Sequence, residues 1–287
     1  MRIQTHFIKR TNVYGENYHI SYSAWGDPES EKTLLCLHGL NRNGRDFDYI
    51  AEYFTGLGYY VIAPDLPGRG NSSHLRDGRG YNLESSITDL LALINQLQLR
   101  KIDCIGTSLG GAMGMVLASL PSSNIQKLIM NDIGAEVELA GILRIEAYSG
   151  DNQDFGSYHE ACEHYRQYCL SDGIYDESVW QHMLACTFQK NSNHRWELKR
   201  DSKVAASLAE GMLGGGNINL WSYWQKINIP VLLIHGLNSD LLLFPTIQKM
   251  QHTHQDMIVL TIEDAGHSPY LYRQEHIEQI AKFMVGL

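Results

Sequence analysis

Six short apolar runs constrain this chain most: TLLCL (33–37), YYVIA (59–63), KIDCI (101–105), KLIM (127–130), VLLI (231–234) and MIVLTI (257–262). Each has strand length, and the apolarity is continuous rather than alternating. Such runs suit strands covered on both faces, as in a parallel sheet. Helical patterns separate them. Asn82 is placed to cap a segment in which Leu83, Ile87, Leu90, Leu91, Ile94 and Leu97 keep one helical face. Asp46–Phe54, Gly110–Leu120, Pro245–Met250 and Glu275–Met284 are shorter candidates. Upstream, Ile3–Lys9 and His19–Trp25 flank the turn signal Tyr14-Gly15-Glu16-Asn17 and predict an antiparallel hairpin. The expectation is an α/β chain: a doubly wound, mostly parallel sheet of eight strands with helices on both faces.

One stretch breaks the rhythm. From about Ala135 to Trp224 no convincing strand pattern occurs, and the residues read as helical and aromatic. This predicts a helical insertion after the sixth strand, dividing the chain into a first core part (1–134), a cap (135–224) and a second core part (225–287). Trp180, Trp196, Trp221, Trp224, Phe155, Tyr158, Tyr165 and Phe188 fall there. They are expected to form the insertion's own core more readily than a ligand-facing wall. The run Gly214-Gly215-Gly216 is expected to act as a joint.

The residues just past each apolar run locate the chemistry. TLLCL ends in His38-Gly39-Leu40-Asn41, YYVIA in Pro64-Asp65, and KIDCI in Gly106-Thr107-Ser108. KLIM ends in Asn131-Asp132, VLLI leads to His235-Gly236 and Asp240, and MIVLTI leads to Gly266-His267. Reactive side chains therefore gather at the carboxyl ends of the strands, the edge where open parallel sheets bind ligands.

Among these, GTSLG (106–110) carries most. A Gly-x-Ser-x-Gly string is weak evidence alone, but here it follows a strand and precedes the small-residue helix start Gly110-Gly111-Ala112. A tight strand-to-helix turn exposes the serine hydroxyl, and bulk two residues to either side would collide. The helix N-terminus favours a developing oxyanion beside it. A serine hydroxyl needs a base, and the base needs an orienting acid. His267 is the expected base and Asp240, in HGLNSDLLLFP, the expected acid, in the chain order Ser108, Asp240, His267. Backbone N–H groups of Leu109 and Leu40 are the expected oxyanion donors.

With these residues in place, the chain resembles the α/β-hydrolase superfamily along essentially its whole length. The resemblance rests on HGLNRNG, APDLPGRGNSS, GTSLGG, the LNSDLLLFP loop and AGHSPYL, in that order, with an insertion similar to the family's lid or cap. It implies an α/β-hydrolase fold, Ser108 as nucleophile, His267 as base, Asp240 as acid, Leu40 and Leu109 at the oxyanion hole, and no cofactor. Some family members place the acid after the sixth strand, which makes Asp132 the alternative. Asp240 is preferred because its Ser-Asp-before-helix setting resembles the commoner site. A serine nucleophile disfavours the related haloalkane dehalogenases and epoxide hydrolases, which use aspartate there.

Several single residues read as structural. Asp65 is expected to brace its glycine-rich loop, Ser72 and Ser73 to stabilise loops, and His38 and His235 to serve the fold. His159 and His164 are five apart and share a helix face poorly, so no metal is expected there. Five cysteines, odd in number and without C-x-x-C, are expected to be free thiols. A formal net charge of −9 without a basic block argues against nucleic acid. The N-terminus has no apolar signal core and no run is long enough to span a bilayer, so a cytoplasmic protein without a membrane partner is expected.

The resulting expectation is a serine hydrolase of carboxylic esters or related small acyl compounds. Hydrolysis of carbon–carbon bonds in diketone ring-cleavage products, lactone hydrolysis and acyl transfer use similar residues. A ligand receptor on the same scaffold is the non-enzymatic alternative. Oligomeric state is open.

Overall fold

A computed structural model describes residues 3–149, 153–205 and 217–286. The expected glycine joint at 214–216 lies outside the described residues. An eight-stranded sheet forms the frame: β1 (Gln4–Thr11), β2 (Asn17–Trp25), β3 (Thr33–Leu37), β4 (Tyr60–Pro64), β5 (Ile102–Thr107), β6 (Ile125–Asn131), β11 (Val231–Gly236) and β12 (Met257–Ile262). Their spatial order is β1-β2-β4-β3-β5-β6-β11-β12. The β1–β2 hairpin and the β2–β4 pair are antiparallel, and the other ladders are parallel.

Helices cover both faces: α1 (Asp48–Gly56), α2 (Leu83–Gln96), α3 (Leu109–Ala118), α8 (Phe244–Thr253) and α9 (Gln274–Val285). The period-two side-chain alternation of strands explains how continuous apolar runs serve two cores. Leu34, Cys36, Val61, Ala63, Leu232 and Ile234 face the cluster built by α1 and α9, with Phe54 and Ile280. Leu35, Leu37, Ile62, Cys104, Leu128 and Leu233 face the opposite cluster with Leu93, Met113 and Met250. As the sequence predicts, Asn82 caps α2, its Oδ1 accepting from Ser85 N at 2.9 Å.

The segment between β6 and β11 stands apart from the sheet. It holds α4 (Leu139–Ser149), α5 (Tyr158–Arg166), α6 (Glu177–Thr187) and α7 (Trp221–Trp224). It also holds short strands that the sequence pattern missed. β7 (Glu136–Val137) pairs with β10 (Ile218–Asn219), closing the neck of the insertion, and β8 (Phe188–Lys190) pairs with β9 (Trp196–Leu198). Ladders of two or three residues are too short to leave a periodic signal. Phe155, Tyr165, Trp180 and Phe188 pack into a separate aromatic cluster. Trp221 and Trp224 instead join the main core beneath the sheet.

The α1 contribution is testable. Phe54 is fully buried between strands and α9. Phe54→Ala is expected to lower unfolding free energy by about 3–5 kcal/mol, read from urea denaturation followed by circular dichroism.

Candidate active site

Three strands end at one place. Ser108 follows β5 and starts α3 with φ 52° and ψ −117°, a backbone setting that a side-chain-bearing residue rarely adopts. The flanking glycines are required as the motif implies. A Cβ on Gly106 would strike the backbone of Gly110, and one on Gly110 would strike the Leu37 carbonyl. Ser108 N donates to Asn131 O at 2.9 Å, so the turn is fastened to the neighbouring strand.

His267 sits in the loop after β12 and is 7% exposed. Its Nε2 lies 2.9 Å from Ser108 Oγ, and its Nδ1 lies 2.8 Å from Asp132 Oδ2. The geometry assigns Nδ1 as the nitrogen that donates to the carboxyl group and Nε2 as the one that accepts from the serine.

The acid is therefore a correction. Asp132, at the end of β6, bonds to His267, and Asp240 does not. Asp132 is fully buried and accepts from Gly236 N at 2.9 Å and Ser239 Oγ at 2.6 Å besides the imidazole. Asp240 turns outward, its side chain 44% exposed, and takes a bidentate pair from Arg144 at 2.5 and 2.8 Å. The Arg144 hydrogen bonds hold its carboxyl below the usual range. In the Ser-Asp dipeptide it is Ser239 that faces the site. β6 and β11 are sheet neighbours, so both aspartates emerge at the same edge.

Leu109 is the first residue of α3, where an N–H has no acceptor within the helix. Leu40 lies in the loop after β3, and Gly39 beside it would place a Cβ 3.8 Å from Ser108 Cβ. Arg69 Nε donates to Leu40 O at 3.0 Å and holds that loop. His38 beneath it is buried; its Nε2 accepts from Leu66 N at 3.0 Å, and burial pushes its pKa down to about 3. It is a neutral brace. Asp65 accepts from Gly44 N and Asn71 N, both at 2.8 Å, and Ser72 Oγ donates to Asp65 O at 2.6 Å.

Two cavities meet at Ser108. A large one, of about 550 Å³, is walled mainly by apolar side chains such as Leu109, Ile133, Val137, Ile142 and Leu241. A small one, of about 80 Å³, also holds His267 and is the more polar of the two, with Arg42, Asp46, Arg144, Asp172 and Tyr270 in its walls. Leu40, Ser108 and Ile145 line both. Sequence reasoning missed the polar chamber, because its members come from the oxyanion loop, the cap and the histidine loop.

Among the described residues, Asp48, His182 and Cys186 form a group whose ligand atoms lie within 4.8 Å of one another. Arg45 already donates to both Asp48 oxygens, and His182 Nε2 lies 2.8 Å from Asp48 Oδ2, so the carboxylate is already engaged. His159 is exposed, and His164 packs against the rings of Phe155 and Tyr168. All five cysteines are free. No helix among the described residues is long and apolar enough to cross a membrane.

Residues 32–274 match the family model of the alpha/beta hydrolase fold. The chain belongs to that family. A 3-hydroxybutyrate-oligomer hydrolase of Cupriavidus necator is 33% identical over 94% of each chain. A crystal structure from Rickettsia typhi superposes with a TM-score of 0.90 at 31% identity, covering 100% of both chains. That of an alpha/beta hydrolase from Novosphingobium aromaticivorans gives 0.85 at 27% identity, covering 99% of both. The chain is a hydrolase-family enzyme.

Asp172 offers a pH test. Burial raises its pKa from an ordinary 3.8 to about 7, against the opposing pull of Arg42 and His267. The folded state thus keeps a proton that the unfolded chain releases between these values. This contribution to stability is fully present below the unfolded pKa and is lost as pH rises through about 7. Asp172→Asn lacks that dependence. Its urea midpoint, relative to wild type, is expected to be higher at about pH 8.5 than at about pH 5; equal differences at both would contradict the assignment.

Proposed function

We propose that the chain hydrolyses carboxylic esters, with Ser108 as nucleophile, His267 as general base and Asp132 as the group orienting the imidazole. The observation that carries this is the relay from Ser108 Oγ through His267 to Asp132, at 2.9 and 2.8 Å, opening onto the two cavities. The substrate class is proposed from the Cupriavidus necator relative, which matches over nearly the full length of both chains: short oligoesters of 3-hydroxy acids.

The steps follow from the geometry. Ser108 Oγ attacks the ester carbonyl while its proton passes to His267 Nε2. The carbonyl oxygen becomes an oxyanion and receives the N–H groups of Leu109 and Leu40. Asp132 keeps the Nδ1–H oriented and offsets the charge of the imidazolium. Collapse breaks the ester C–O bond, and the departing alcohol takes the proton back from Nε2. Water then loses its proton to the same nitrogen and attacks the acyl-serine carbonyl; the bond to Ser108 Oγ breaks, the serine takes the proton back from Nε2, and the acid leaves. No step calls on a cofactor.

Two sets of variants test the assignment on a 4-nitrophenyl ester and on a dimeric 3-hydroxybutanoate. Ser108→Ala is expected to lower kcat by about six orders of magnitude and Asp132→Asn by about four. Asp240→Asn is expected to retain most of the turnover, since its carboxyl reaches Arg144 and not the imidazole. The opposite ranking of the two aspartates would return the orienting role to Asp240. Full activity in Ser108→Ala would remove the covalent mechanism.

A further inference from the structure

The polar chamber has a composition that ester hydrolysis by itself does not explain. Arg42 stands two residues beyond Leu40 and is largely buried. Its guanidinium donates to Asp46 at 2.7 and 2.9 Å, and it lies 3.6 Å from Asp172 in the cap. Arg144, also in the wall, is taken up by Asp240. Both guanidiniums at the chamber are thus engaged by carboxylates, three acids against two bases.

Tyr270 adds an independent observation. It lines the chamber, is 7% exposed, and its hydroxyl is buried without a hydrogen-bond partner among the described residues. The charges it feels most are those of Asp46 and Arg42, both chamber walls. The Arg42 guanidinium lies 5.6 Å from its ring centre. A buried hydroxyl left without a partner is costly and calls for one.

We propose that this chamber is a subsite for the hydroxyl-bearing end of a short hydroxyacyl group, with Asp172, Arg42 and Tyr270 as the residues that recognise it. The assignment rests on the ester-hydrolase reading above and specifies which part of such a substrate each cavity takes. A neutral hydroxyl suits the walls: it donates to a carboxyl oxygen of Asp172 and accepts from the Arg42 guanidinium or the Tyr270 hydroxyl. A free carboxylate does not, because the cations that would receive it already carry carboxylate partners. Size agrees. The space of about 80 Å³ beside Ser108 admits a short chain, whereas the apolar cavity of about 550 Å³ has room for the rest of the ester.

The test compares kcat/KM for 4-nitrophenyl 3-hydroxybutanoate, each enantiomer separately, with that for 4-nitrophenyl butanoate. The esters differ only in the hydroxyl, so any general loss in a variant cancels in the ratio. Wild type is expected to favour one hydroxylated enantiomer by about tenfold or more, as one hydrogen bond to a charged group supplies. Tyr270→Phe and Asp172→Leu are each expected to bring that ratio towards one, chiefly through KM. Mono-4-nitrophenyl succinate, which ends in a carboxylate, is expected to be poorer than the butanoate. A wild-type ratio of one, a ratio unmoved by both variants, or a preference for the succinate overturns the subsite. Turnover of none of these esters by wild type would instead defeat the hydrolase reading, and the subsite with it.

Discussion

The site depends on a carboxyl group buried without an arginine or lysine partner among the described residues. Asp132 is fully buried, and burying such a group is costly unless donors surround its oxygens. The three donors come from three segments: Gly236 N at the end of β11, Ser239 Oγ in the loop after it, and His267 Nδ1 in the loop after β12. One side chain therefore pins the ends of adjacent strands and the histidine loop to β6. Asp132 itself adopts a left-handed φ of 56°. Ser108 next door has φ 52°, and Asn131 between them links Thr107 Oγ1 at 3.1 Å to Pro269 O at 2.8 Å. The strain at the two turns is held by hydrogen bonds that cross the strand ends.

The frame was legible because its signals are local. Continuous apolar runs marked the parallel strands, Asn82 marked the start of α2, and Gly106 and Gly110 marked the serine turn. The carboxyl partner of His267 was not legible for a reason of topology. Asp132 and Asp240 follow strands that lie side by side, so proximity to the edge does not separate them. The difference between them is a single step along the chain: Ser239 faces inward and Asp240 outward, where Arg144 from α4 meets it. That partner is 96 residues away in sequence, and no periodicity announces it. Asp132 did carry one local signal of its own, for it directly follows Leu128–Asn131, the buried end of its strand.

The cap is joined to the chemistry by backbone. Ser171 O accepts from Gly266 N at 2.7 Å, and Asp172 O accepts from Tyr270 N at 2.8 Å. These bonds bracket His267, so the cap segment forms one wall of the loop that carries the imidazole. Close approach is part of the fit, since a Cβ on Gly266 would lie 2.9 Å from Ser171 Cβ. Tyr270 also packs within the cap's aromatic cluster. The aromatic richness of the insertion thus serves mainly to make a firm body, and that body is fastened to the histidine loop at two points.

The same economy of connections governs the loop after β3. Leu40 lines both cavities, while its carbonyl is held by Arg69, whose guanidinium also donates to Pro67 O at 2.7 Å. Arg69 is 2% exposed and lines the apolar cavity; burial pushes its pKa down to about 10. Two residues beyond Leu40, Arg42 reaches the opposite way into the polar chamber, with Asp46 from the turn after it and Asp172 from the cap. The four residues from Gly39 to Arg42 therefore touch both cavities. Displacing Arg42 towards a ligand would pull on the segment that carries the Leu40 N–H, whereas a neutral group that joins the existing Arg42–Asp172 contact leaves it in place. The arrangement favours recognition by addition to the existing Arg42–Asp172 contact over recognition by its rupture.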